Sequence, residues 1–161
     1  MRYLFLALLL IIPVQSSSAE FDIQSYQQVK FADIKTAHTG DLLKSSQKNG
    51  TIVSTATFKY VFPVKFIKKL RKLSILNKTV IQAWQDALRV PPDFINLYQN
   101  EFKVVLGNDT YWIPVQEHLL LPMSSELHAG DQFDLFVIVI GAKDGKLVML
   151  ATEFRSDRAP N

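Results

Sequence analysis

The residues in this chain best suited to chemistry are cations gathered on one stretch. Between Asp41 and Asp86 there is no acidic residue, while Lys44, Lys48, Lys59, Lys65, Lys68, Lys69, Arg71, Lys72 and Lys78 supply nine positive charges. Residues 20–41 sum to −2 and residues 79–161 to −5, so the excess is local. Charge of one sign on one segment is a means of meeting an anion: lipid headgroups, lipopolysaccharide, a polyanionic glycan or, last in rank for an exported chain, nucleic acid. Each cation held near an anionic surface contributes about 1 kcal/mol, so five or six together bind weakly and reversibly. The bland alternative is a solvated face that only keeps the chain in solution.

Other reactive residue types are present without the spacing that chemistry demands. His38, His118 and His128 form no H-x-x-x-H pair, so they read as scattered histidines and not as a metal site. Ser45, Ser46, Ser124 and Ser125 lie in no G-x-S-x-G elbow. Glu101, Asp109, Glu117, Glu126 and Asp131 are acids from which a glycosidase pair could be drawn, but sequence does not give the separation that such a pair requires. The six glycines stand singly, so no phosphate-cradling loop is seen, and no catalytic residue or cofactor is assigned. Tyr60, Tyr111 and Trp112 could stack on sugars or bases if a strand face exposes them. Phe58 and Phe62 read as core.

These residues must be positioned by a small number of elements. Residues 21–34 read as a partly buried strand, and Asn49-Gly50 as a tight hairpin turn leading into a strand at 51–62 rich in β-branched and aromatic residues. From residue 64 to 89 the apolar period changes to about 3.6: Phe66, Ile67, Leu70, Leu73, Val80, Ile81, Trp84 and Leu88 share one side of a helical wheel. On that reading Lys65, Lys68, Lys69, Arg71, Lys72 and Lys78 form the basic outer face of one amphipathic helix, which Pro91-Pro92 must end. Residues 102–106 and 111–115 flank a run of turn formers and read as a hairpin. Residues 117–127 read as a connector. Residues 133–140 and 147–154 form a second hairpin whose first strand is apolar on both faces, and so is covered on both sides. Five or six strands with one main helix predict an α+β domain: a curled antiparallel sheet, or a small barrel of the kind seen in oligonucleotide- and oligosaccharide-binding folds, packed against that helix.

The chain opens with Arg2 and a nine-residue apolar run at 4–12, then Pro13 and a small, polar stretch ending in Ala19. The run is too short to cross a bilayer, which takes about 20 apolar residues, so residues 1–19 read as a cleavable secretory signal and 20–161 as one domain with no transmembrane span. Loss of Arg2 leaves 17 cations against 15 anions. The absence of cysteine excludes disulfides, thiolate metal sites and a lipid anchor on cysteine, and in an exported domain it points to a bacterial periplasm or medium. Three N-x-T triplets, at Asn49, Asn77 and Asn108, read as turn chemistry. The expectation that follows is an exported, non-enzymatic binding or accessory domain whose basic helix face contacts an anionic partner or the cell envelope. Two alternatives stand beside it: a secreted hydrolase with an unrecognised carboxylate or histidine site, and a structural subunit that uses an edge strand or the helix stripe against a protein partner.

Overall fold

The computed structural model describes residues 21–156, and the leader expected over 1–19 lies outside them. In chain order the elements are β1 (Gln27–Gln28), α1 (Phe31–Ala37), α2 (Ser45–Asn49), β2 (Thr51–Lys72), α3 (Ile75–Leu88), β3 (Asn100–Leu106), β4 (Asp109–Val115), α4 (Glu117–Glu126), β5 (Gln132–Lys143) and β6 (Lys146–Arg155). Five of the strands close a ring, β2-β3-β4-β6-β5 and back to β2, and β1 adds to the outer edge of β2. The small α+β barrel expected from the strand count is the architecture found. It closes because β2 is long enough to serve two neighbours, pairing with β5 along residues 51–65 and with β3 from Lys65 to Lys72. Where β2 crosses β5, a side chain at 141 would meet the Ile52 carbonyl oxygen at 2.3 Å, so only glycine lets the strands approach.

The expected helix over 64–89 is corrected at its start. Residues 64–72 are strand, and α3 begins at Ile75 behind Ser74, whose side chain accepts from the Asn77 amide. The misreading has an identifiable cause. Phe66 pairs with Val104 and Leu70 with Phe102, so the three residues 67–69 of β2 face Lys103 alone on β3 across a bulge in which Lys68 turns left-handed at φ 56°. A bulge of that size sets strand residues 66 and 70 at the i, i+4 spacing of a helix. The helix ends as expected ahead of the prolines, with Arg89 left-handed at φ 55°.

Two other expectations are revised. Asn49-Gly50 is not a hairpin turn: Gly50, at φ 81°, caps α2, because Ser45–Asn49 is helical. The 21–34 segment is mostly not strand, only Gln27–Gln28 pairing with β2 before α1 begins, and the 117–127 connector is α4, with Pro122 inside it.

The core has two layers. Inside the barrel, Phe62, Val64, Phe66, Phe102, Val104 and Ile113 meet Leu135 and Val137, joined by Ile34 from α1 and Leu119 and Met123 from α4. On the outside of β5 and β6, Ile140, Val148 and Leu150 pack against Val80, Ile81 and Trp84 of α3 and against Tyr98. The expectation that β5 is covered on both faces is met by these two layers.

Candidate functional site

Strand pairing decides which cations share a face. Lys65 lies opposite Val105, Arg71 opposite Glu101, and Lys103 opposite Trp112. Phe66, Phe102, Val104 and Ile113 fill the barrel interior, so by alternation Lys65, Arg71, Glu101, Lys103 and Trp112 belong to its exterior. Three cations and one indole thus share the outward face of β2, β3 and β4. Arg71 lays its guanidinium over the Trp112 ring, 4.0 Å from the centroid, and the Lys103 ammonium lies 5.8 Å from the same centroid.

Glu101 is the carboxylate that the register puts on this face, and it is fully buried. Its two oxygens accept from Arg71 Nε, from the Asn77 side-chain amide and, at 3.2 Å, from the Ser74 hydroxyl. Asn77 also donates to the Trp112 carbonyl at 3.4 Å. A carboxylate placed away from water requires such donors. One carboxylate therefore ties the end of β2 to the first turn of α3 and fixes Arg71 against Trp112.

Beside this face opens a groove of about 650 Å³ whose lining includes Arg71, Tyr111, Trp112 and Lys146, the first residue of β6. Lys35 of α1 also lines it and donates to Asp109 at 3.0 Å. Ser74, Asn108 and Thr110 add neutral polar groups to the lining.

The six cations expected on one helix face are divided among several places. Lys65 and Arg71 take the outward face just described, whereas Lys68 and Lys69 sit at the bulge, lining a small, mainly apolar cleft with Leu120 and Met123 of α4. Lys72 pairs across to Asn100, one register step from Arg71 and so on the opposite face, and Lys78 is exposed on α3. Of the three stacking candidates, Tyr60 is withdrawn. It is 8% exposed inside the barrel, its hydroxyl 3.3 Å from His38 Nε2 and its ring parallel to Phe58. Tyr111 is half-buried with its ring edge-on to Phe31 at 4.9 Å, which leaves Trp112 as the aromatic on the outward face. Burial pushes the Tyr111 hydroxyl above its ordinary range, against the opposing pull of Lys35.

Lys103, Lys35 and Lys146 are site residues that sequence reasoning missed. Lys103 had a signal: Leu106 pairs with Asp109 across a two-residue turn, and counting back from there sets Lys103 opposite Trp112. The acids and histidines are dispersed. Glu117 accepts from Asn100, Asp131 accepts from the His128 amide, and His38 is 4% exposed, with burial lowering its pKa. Among the described residues no group of three or more acids and histidines could hold a metal ion, and no helix is long and apolar enough to cross a membrane. Comparison with protein-family models, with curated proteins and with solved structures finds no match to this chain.

Proposed function

We propose that this chain is an exported, non-enzymatic binding domain that meets an anionic partner of the cell envelope through the outward face of β2, β3 and β4. The observation that carries the reading is the asymmetry of that face. Lys65, Arg71 and Lys103 stand on it with Trp112, while its carboxylate, Glu101, is buried and engaged by three donors. An incoming anion therefore meets cations on this face, and the exposed Asp109 of the adjoining groove is itself paired with Lys35. Lys68 and Lys69, on the adjoining bulge, widen the basic region along β2. Export rests on the leader sequence at 1–19 and accords with the lack of cysteine.

The test is retention of the chain from residue 20 onward on heparin and on vesicles rich in anionic lipid. Retention is expected to fall steeply as salt rises, because contacts of this kind are screened within about 8 Å at physiological ionic strength. A Lys65→Glu, Lys103→Glu variant that keeps its thermal midpoint should elute at markedly lower salt. Equal retention of that variant and the parent chain would remove the reading.

A further inference from the structure

The groove beside Trp112 carries an inference that rests on the proposed function and narrows it to a ligand class. We infer that it receives an acidic sugar unit, whose carboxylate or phosphate pairs with the free end of Arg71 while the sugar ring lies in the groove at Trp112. Arg71 is the centre of the argument. Its Nε is engaged by the buried Glu101, and its plane rests 4.0 Å from the Trp112 centroid. Its two terminal nitrogens make no hydrogen bond among the described residues, although the side chain is 44% exposed and lines the groove. An arginine fixed in this way has already lost most of its rotamer freedom. Its terminal nitrogens offer a planar, two-pronged donor to a carboxylate or phosphate at little further entropic cost.

The remaining lining matches the rest of such a ligand. A volume of about 650 Å³ falls in the range of small-molecule clefts and suits one or two sugar rings. Sugar hydroxyls both donate and accept, and the lining supplies both functions in the Lys35–Asp109 pair and in Asn108. A bare phosphate chain, which only accepts, would leave Asp109 and the Asn108 carbonyl oxygen without a role. Lys146, exposed at the start of β6, adds a further cation to the lining and suits a ligand carrying one acid per ring. Leu43, Leu76 and Leu147 contribute apolar lining for the C–H face of a ring.

The experiment titrates the chain from residue 20 onward with oligogalacturonate. A neutral oligosaccharide of equal length and inorganic polyphosphate serve as controls, and binding is read by calorimetry and by tryptophan emission. Trp84 is buried on the inner face of α3 and Trp112 is half-buried on the open face, so the emission change should be absent from Trp112→Phe and present in Trp84→Phe. The acidic oligosaccharide is expected to bind at least tenfold more tightly than the neutral one. Arg71→Lys, which keeps the charge and loses the fork, should weaken it about tenfold, as should Lys146→Glu at the exposed start of β6, where folding is not at risk. Polyphosphate should bind more weakly than oligogalacturonate, because it makes no use of Asp109 or of the Asn108 carbonyl oxygen. If oligogalacturonate binds Arg71→Lys and Lys146→Glu as tightly as the parent, the groove assignment fails while the general anion-binding face stands. If the chain is retained on heparin and anionic vesicles but ignores oligogalacturonate, the sugar class is wrong. If it is retained by none of them, the proposed function falls with it.

Discussion

The barrel has two outward faces built from the same alternation, and they meet opposite fates. On β5 and β6 the outward positions are Ile140, Val148 and Leu150, and the chain covers them with α3, burying Val80 and Ile81 completely and Trp84 to 8% exposure. On β2, β3 and β4 the outward positions include Lys65, Arg71, Lys103 and Trp112, which are at least partly exposed, and Glu101, which is buried. The first face needs a helix because apolar area left in water costs roughly 25 cal/mol per Å². The second has no such requirement, and its stability rests on the Glu101 knot that joins it to the edge of the covered face. A packed apolar face and an open basic face thus occupy different sectors of one barrel's exterior.

The strongest way to break this comparison is Trp84→Ala. The residue is buried against Phe94, with ring centroids 5.6 Å apart, and its removal should cost about 3–5 kcal/mol, read as a lower urea midpoint. A loss below about 1 kcal/mol would mean that α3 is not held by the apolar face. Next in size is Glu101→Ala. Asn77 is buried and would lose its best acceptor, whereas Arg71 is 44% exposed and can turn to water, so a cost of about 1–3 kcal/mol is expected. The same variant should shift Trp112 emission, because Arg71 no longer has its anchor. A stability loss without that spectral change would separate the knot from the open face.

A good part of this was legible in the sequence, and the rest was hidden for a specific reason. The β5 strand announces cover on both sides through its apolar Leu135 to Ile140 run, and the β3–β4 hairpin announces itself through its turn residues. The covered face could therefore be read locally. The open face could not, since its residues come together only through pairing across the barrel and β2 carries a bulge that imitates helical spacing at Phe66 and Leu70. Glu101 was visible as one acid among five. Only the pairing of Arg71 with it, thirty positions away, gives it a role. Asn77 shows the same limit: as part of an N-x-T triplet it suggests an exposed turn, yet it is buried at the first turn of α3.

A smaller effect distinguishes the interior from either face. His38 is 4% exposed, edge-on to Phe58 at 4.7 Å and near the Tyr60 hydroxyl, and burial lowers its pKa from 6.5 against the opposing influence of Asp41. Below pH 6.5 the unfolded chain takes up a proton that the folded chain resists. This contribution to stability is therefore complete above pH 6.5 and declines as pH falls toward the folded-state value, by at most about 1.4 kcal/mol per pH unit. Urea midpoints between pH 7.5 and 5.5 should fall for the parent chain, and less so for His38→Asn. An identical pH slope in both would show that the buried ring is not the group responsible.

The smallest expected change in stability is the one that sharpens the comparison most. Lys65→Ala and Lys103→Ala remove cations from the open face without touching the core, because Lys65 is exposed and Lys103 reaches over Trp112 at 5.8 Å with no acid partner among the described residues. Lys65→Ala should change stability by no more than about 0.5 kcal/mol, as surface substitutions generally do, and Lys103→Ala by no more than about 1 kcal/mol. Cation–π attraction at such a distance and exposure is itself worth only about 0.5–1 kcal/mol, so Lys103 sets the upper end. Retention on heparin, by contrast, should shift for both. Thermal melts and salt elution measured on the same two variants would then move independently. If instead the melts fall by 2 kcal/mol or more, these lysines are holding the barrel together, and the open face would be a packing surface like its covered counterpart.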